Sequence, residues 1–155
     1  MEKNSVSHLS SYSISVFALG LFLGVLLDIF FPMRFMAEPL NQFIGLGLVV
    51  LATLVIYSAE KHGEEYSHKR KSKNVGHVDD FSSGPYKYTR NPKYLGLSFL
   101  LIGLGLILNT PFIIGTSILS GIIVNIYFLG KEEALLEERH GDLYKEYKSK
   151  VRKWL

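Results

Sequence analysis

The sequence predicts an all-α integral membrane protein: four transmembrane helices, a helical hairpin made by the third and fourth, and a C-terminal amphipathic cytoplasmic helix. Three observations carry this. Hydrophobic residues make up 48% of the 155 positions, with a mean hydropathy of +0.19. They lie in long uncharged blocks, and the lysines and arginines gather between and after those blocks. The length suits one domain, 1–155.

The first span is read at about 12–31. Residues 9–27 carry no charge, Asp28 interrupts the run and Pro32 ends it. About 20 apolar residues cross the hydrocarbon core as a helix. No small-residue cleavage site follows, and the block is too long for a secretory signal. Asp28, near the outer end, is read as structural. The second span is read at about 39–60, with Pro39 suited to a first helical turn and Gly45 and Gly47 allowing close helix contact.

From Glu60 to Lys93 the character reverses. No apolar period runs through this segment, so 61–92 is expected to be a mostly irregular cytoplasmic loop into which the second helix can extend. Tyr94 to Gly130 is uncharged again, and too long for one crossing. Asn109-Thr110-Pro111 is a turn signal inside it, giving spans at about 93–108 and 111–130. In the tail, 131–155, Leu143, Tyr147, Val151 and Trp154 recur on one helical face. Gly141 should break the helix and Asp142 cap the next one. Such a basic amphipathic helix is expected to lie on the membrane surface.

Counted by segment, Lys and Arg number one before span 1, one between spans 1 and 2, eight between 2 and 3, none between 3 and 4, and seven after 4. Cytoplasmic loops carry the excess of cations. Both termini and the long loop are therefore expected in the cytoplasm. The membrane itself is expected to be the inner membrane of a prokaryotic cell.

Some chemistries are excluded. There is no cysteine, so no disulfide and no thiolate site. The five histidines form no HxxxH or HxxH pair, and no metal site is expected. No P-loop, GxGxxG, HExxH or GxSxG occurs, and no nucleic-acid partner is expected.

The most unusual stretch is Ser83-Gly84-Pro85-Tyr86-Lys87-Tyr88-Thr89-Arg90-Asn91-Pro92-Lys93-Tyr94-Leu95-Gly96. Its prolines restrict φ, and its tyrosines offer flat faces to a purine or a sulfonium cation. Arg90 can grip a carboxylate, and Asn91 both donates and accepts. On composition alone the stretch is also what an interfacial anchor looks like. Downstream, Glu132-Glu133 follows span 4. Adjacent helical residues point about 100° apart, so one of the two is expected to face a shared site. Glu137-Glu138 is expected to face solvent.

The run Ser-Gly-Pro-Tyr-x-x-x-Arg-Asn-Pro-x-Tyr-x-Gly, then Glu-Glu-x-x-Leu, then Gly141-x-x-Tyr144-x-x-Tyr147, resembles the isoprenylcysteine carboxyl methyltransferases. The related phospholipid methyltransferases share its core. The resemblance covers about residues 76–153. It implies a membrane enzyme that uses S-adenosylmethionine, leaving S-adenosylhomocysteine, without a Rossmann fold. It puts Val78, Asp79, Asp80, Phe81, Tyr86, Asn91, Pro92, Lys93, Tyr94 and Glu132 on cofactor-binding positions. Arg90, Asn91 and Glu133 are the candidate catalytic residues on chemical grounds: Arg90 can grip a carboxylate, and an amine acceptor needs its proton taken, by Glu133 or by a water held by Asn91. The expected partners are membrane lipids and a lipophilic acceptor, a carboxylate or an amine, with the chain a monomer or homodimer. Phe128 stands where prenyl-cysteine enzymes carry an arginine. Two other classes also accommodate the composition: a four-helix transporter built around Asp28, and a non-catalytic membrane scaffold.

Overall fold

The structure is a computed structural model and describes residues 3–71 and 81–155. Every element among them is helical: α1 (Lys3–Phe30), α2 (Leu40–Lys71), a short 3₁₀ turn (Gly84–Lys87), α3 (Pro92–Ile107), α4 (Pro111–Val124), a π turn (Asn125–Leu129), α5 (Gly130–His140) and α6 (Asp142–Lys150). Among the described residues, three helical runs are long and apolar enough to cross a membrane: His8–Phe30, Leu40–Glu64 and Pro111–His140. The apolar helix α3 is shorter. Large apolar side chains such as Phe22, Leu54 and Ile118 are more than half exposed, which is the surface hydrocarbon would cover.

The hairpin of α3 and α4 forms the middle of the bundle, with α2 packed on α3 and α1 on α4. Its turn falls where Asn109-Thr110-Pro111 predicts it, and Pro111 starts α4. Asn109, at φ 53°, accepts from the Phe35 and Met36 amides at 3.2 and 3.1 Å through Oδ1. It donates to the Met36 carbonyl at 2.8 Å. The α1–α2 connection is thereby pinned to the hairpin tip. Asp28 pairs with Arg34 at 2.9 Å.

The α2–α3 crossing depends on Gly45 and Gly103. A Cβ on Gly45 would lie 2.7 Å from the Gly103 carbonyl oxygen, and one on Gly103 2.8 Å from a Val49 methyl and 2.9 Å from the Gly45 carbonyl. Small residues let backbones approach this closely. Gly103→Leu is therefore expected to destabilise the protein by about 1–3 kcal/mol through overpacking. Gly47→Leu, where an added Cβ meets nothing within 4 Å, should be nearly neutral. Thermal unfolding of both variants in detergent compares them; equal melting temperatures would contradict the close crossing.

The second helix runs past the apolar block to Lys71, the extension into the loop that the sequence allows. Glu60 and Lys61 are good helix formers, and hydrogen bonding continues the helix past the last apolar residue. One expectation needs correction: the tail helix is not a surface float. Tyr144, Tyr147 and Val151 are buried, with Phe81 and Leu136 packed against them, so protein occupies the face expected to meet lipid. Gly141 does end α5, at φ +57°, but as the cap residue itself. Asp142 is the first residue of α6 and makes no cap. It pairs with Lys145 at 3.2 Å.

Candidate active site

The site forms where the start of α3, the start of α5, the 3₁₀ turn and α6 meet. Pro92 opens α3, suiting a first helical turn that needs no amide donor. It places Tyr94 in the first turn and leaves Arg90 and Asn91 just ahead of the helix, with Asn91 as its N-cap residue. The 3₁₀ turn depends on Gly84 at φ +54°, where a Cβ would lie 2.6 Å from the His62 ring. His62 is itself held by a 2.7 Å hydrogen bond between Nδ1 and the Ser58 carbonyl.

The two acidic residues enter from the other side. Glu132 accepts a 2.6 Å hydrogen bond from the Tyr94 hydroxyl. Glu133 lies 3.0 Å from Arg90 Nη2 and 3.8 Å from Lys148 Nζ. Both are buried. The expectation that only one would face the site is thus corrected. Adjacent residues do point apart, but Tyr94 waits on one side and Arg90 on the other. The π turn immediately before α5 sets this register; such turns concentrate at functional sites.

Arg90 is the hub of the polar network. Its Nη1 donates to the Lys148 and Val151 carbonyls at 2.8 and 3.3 Å. Its amide donates to the Arg152 carbonyl at 2.9 Å. Thr89 Oγ1 and Asn91 Nδ2 both donate to the Lys153 carbonyl, at 3.1 and 3.0 Å. Residues 151–154 thus form a strap across Thr89–Asn91. Lys93 pairs with Glu60 at 3.2 Å.

Two adjoining cavities share Tyr86, Arg90, Leu136 and Tyr144 as a common wall. The first, about 150 Å³, brings together Tyr86, Arg90, Asn91, Pro92, Lys93, Tyr94, Glu132 and Glu133, all expected site residues. The second, about 170 Å³, holds Phe81 with His62, Gly63, Ser83 and Tyr147. Each is smaller than the ~300 Å³ of a small-molecule pocket, and together they reach it. Val78, Asp79 and Asp80 lie outside the described residues. Phe128 sits in the π turn and packs against the core around Phe17 and Leu129.

Burial raises the Tyr144 and Tyr147 hydroxyls far above their ordinary range, reinforced at Tyr144 by Glu133 and at Tyr147 by Tyr144. Burial, then Glu60, also raises the Tyr86 hydroxyl. These hydroxyls therefore stay protonated and act as donors. Tyr147 donates to the Tyr86 carbonyl at 2.9 Å. Phe81 stacks on Tyr147, with ring centroids 5.6 Å apart.

Ser10, His62, Gly63, Leu136, Tyr144 and Tyr147 also line these cavities and were not among the expected site residues. The Gly141-x-x-Tyr144-x-x-Tyr147 spacing carried a usable signal for the two tyrosines, because residues three apart share a helical face. A lone Ser10 or His62 carries none.

Fold and site together are those of a helical membrane-type protein with buried carboxylates facing a Tyr-Arg-Asn segment. Residues 40–142 match the phospholipid methyltransferase family, and the chain belongs to that family. An uncharacterised protein of Haemophilus influenzae is 36% identical over 62 residues, which cover 98% of that protein and 40% of this chain. No solved structure matches. With the three apolar helices, family membership makes the chain an integral membrane protein and a methyltransferase.

Proposed function

We propose that the protein transfers a methyl group from S-adenosylmethionine to a lipid or lipophilic acceptor, amine or carboxylate, at the cytoplasmic face of the membrane. In this reading α3 is a fourth, short crossing. Both termini and the α2–α3 connection then face the cytoplasm, since they carry nearly all the cations.

One observation carries the reading. Glu132 is buried beside the first cavity with Tyr94 as its hydrogen-bond partner and no ion pair among the described residues. Its neighbour Glu133 has two cations. Lys93 lines the same cavity and acts on Glu132 through its charge, but its ion pair is with Glu60. A buried carboxylate with no ion pair of its own costs free energy, and a cationic ligand in the cavity would offset it. Arg90 Nε is also buried with no hydrogen-bond partner, so the wall keeps a donor in reserve. The aromatic faces of Tyr86, Tyr144 and Phe81 suit a purine. These residues fit the cofactor.

Bound there, S-adenosylmethionine supplies an activated methyl group on a sulfonium sulfur. The chain's own part is to bind, orient and exclude water. We assign Glu132 to the ligand's positive charge. Asn91 lines the same cavity, with its Nδ2 held by Lys153. We give Arg90 and Glu133 positioning roles, since each is already engaged by the other and by the C-terminal segment.

Isothermal titration with S-adenosylhomocysteine on the purified protein tests the reading, and no heat at millimolar ligand would sink it. Asn91→Ala should weaken that binding roughly tenfold, by the ~1.4 kcal/mol of one hydrogen bond with its partner left buried. Unchanged affinity would move the site away from Asn91.

A further inference from the structure

A third cavity lies outside the site, in the surface between α3 and α4. It is a groove of about 300 Å³. Leu95 and Ile102 of α3 and Ile118 and Ile122 of α4 form its sides, and Trp154 closes one end. Trp154 is fixed there by a 3.2 Å hydrogen bond from its indole nitrogen to Asn125 Oδ1. The floor at Gly121 is open, since an added Cβ would meet only Ser98 Oγ, at 3.5 Å.

The ends of the groove differ. Leu95 is in the first turn of α3 and Ile102 two turns further in, so at 1.5 Å per residue the groove extends about 10 Å along the helix. Trp154 marks the interfacial end, a position that suits tryptophan at a membrane boundary. Immediately before it come Arg152, which is exposed, and Lys153, which is half-exposed. An apolar slot closed by an indole, with two solvent-accessible cations next to that indole in the chain, suits an amphiphile with a chain and an anionic head.

We propose that this groove binds one acyl chain of an anionic phospholipid from the cytoplasmic leaflet, with its phosphate near Arg152 and Lys153. This rests on the orientation proposed above and not on methyl transfer. The consequence reaches the active site, because the Lys153 carbonyl that precedes Trp154 holds Thr89 and Asn91. A lipid seated against Trp154 would steady the strap that orders Asn91.

Trp154 is the single tryptophan of the chain, so its fluorescence reports on the groove directly. The protein is placed in phosphatidylcholine nanodiscs containing increasing mole fractions of phosphatidylglycerol brominated on one acyl chain. Quenching should rise and saturate at a low mole fraction. Brominated phosphatidylcholine in the same discs should quench only in proportion to its amount. Gly121→Leu fills the groove, and should abolish saturation while leaving proportional quenching. If that variant does not fold, Arg152→Glu with Lys153→Glu keeps the test alive: phosphatidylglycerol should lose its advantage over phosphatidylcholine. Proportional quenching by both lipids in the unaltered protein would overturn the proposal. So would saturation that survives Gly121→Leu, or cysteines placed at Ile118 and Ile122 cross-linking efficiently between two copies. Binding of S-adenosylhomocysteine is measured separately, so failure of the groove and failure of the cofactor reading stay distinct.

Discussion

Arg90→Ala is expected to lower stability by about 3–5 kcal/mol, the usual cost of removing one member of a buried ion pair. For a chain of this size that is roughly 6–20 °C in melting temperature, at 2–4 °C per kcal/mol. Three losses combine. Glu133 stays buried with only Lys148 nearby, at 3.8 Å. The Lys148 and Val151 carbonyls lose their donor. The strap keeps only the bonds from the Arg90 amide, Thr89 and Asn91. Arg90→Lys should recover part of the loss at most, because an ammonium is a point charge and cannot reproduce the guanidinium fork. Binding of S-adenosylhomocysteine should fall in both variants. Thermal unfolding in detergent, followed by titration, measures both quantities. A melting temperature within about 2 °C of the unaltered protein, less than 1 kcal/mol, would show that Arg90 is not the hub.

Glu132→Gln should do the opposite. The amide oxygen can still accept from Tyr94, and the shape is kept, so the fold loses little. Removing a buried charge that lacks an ion-pair partner is often neutral or stabilising. Ligand binding, however, loses its counter-charge. Truncating one partner of a buried charged contact costs about 2–5 kcal/mol, or roughly 30-fold and more in affinity. The expected result is an unchanged or raised melting temperature with S-adenosylhomocysteine binding weakened at least 30-fold. A lowered melting temperature with intact binding would make Glu132 part of the scaffold and leave the cavity without its cation receptor.

The apolar half of the architecture was legible because hydrophobic blocks and their breaks depend on composition alone. The hairpin turn at Asn109-Thr110-Pro111 appears where the sequence puts it, and the expected site residues from Tyr86 to Tyr94 meet Glu132 and Glu133 around one cavity. What sequence could not show were features created by long-range partners. Both glutamates are buried because Tyr94 and Arg90 arrive from different directions. That depends on a π turn whose residues, Asn125 to Leu129, look like ordinary span. The apolar face of α6 was read correctly as a face and wrongly as lipid-facing, since periodicity says that a stripe is covered but not by what. His62 was invisible as a site residue. Its place comes from a carbonyl on its own helix and from a left-handed glycine 22 positions later.

The strap also has a temporal meaning during synthesis. Asn91 and the Lys153 carbonyl that holds it are separated by 62 positions. At 5–20 residues per second a ribosome takes roughly 3–12 s to cover that distance. For that interval the hairpin can insert and pack while the Arg-Asn-Pro segment waits without its last partner. The nascent chain is therefore a membrane-inserted but unfinished enzyme. Its pocket becomes complete only after residues 151–154 have emerged, so a chain truncated before Lys153 would insert with an unlatched site.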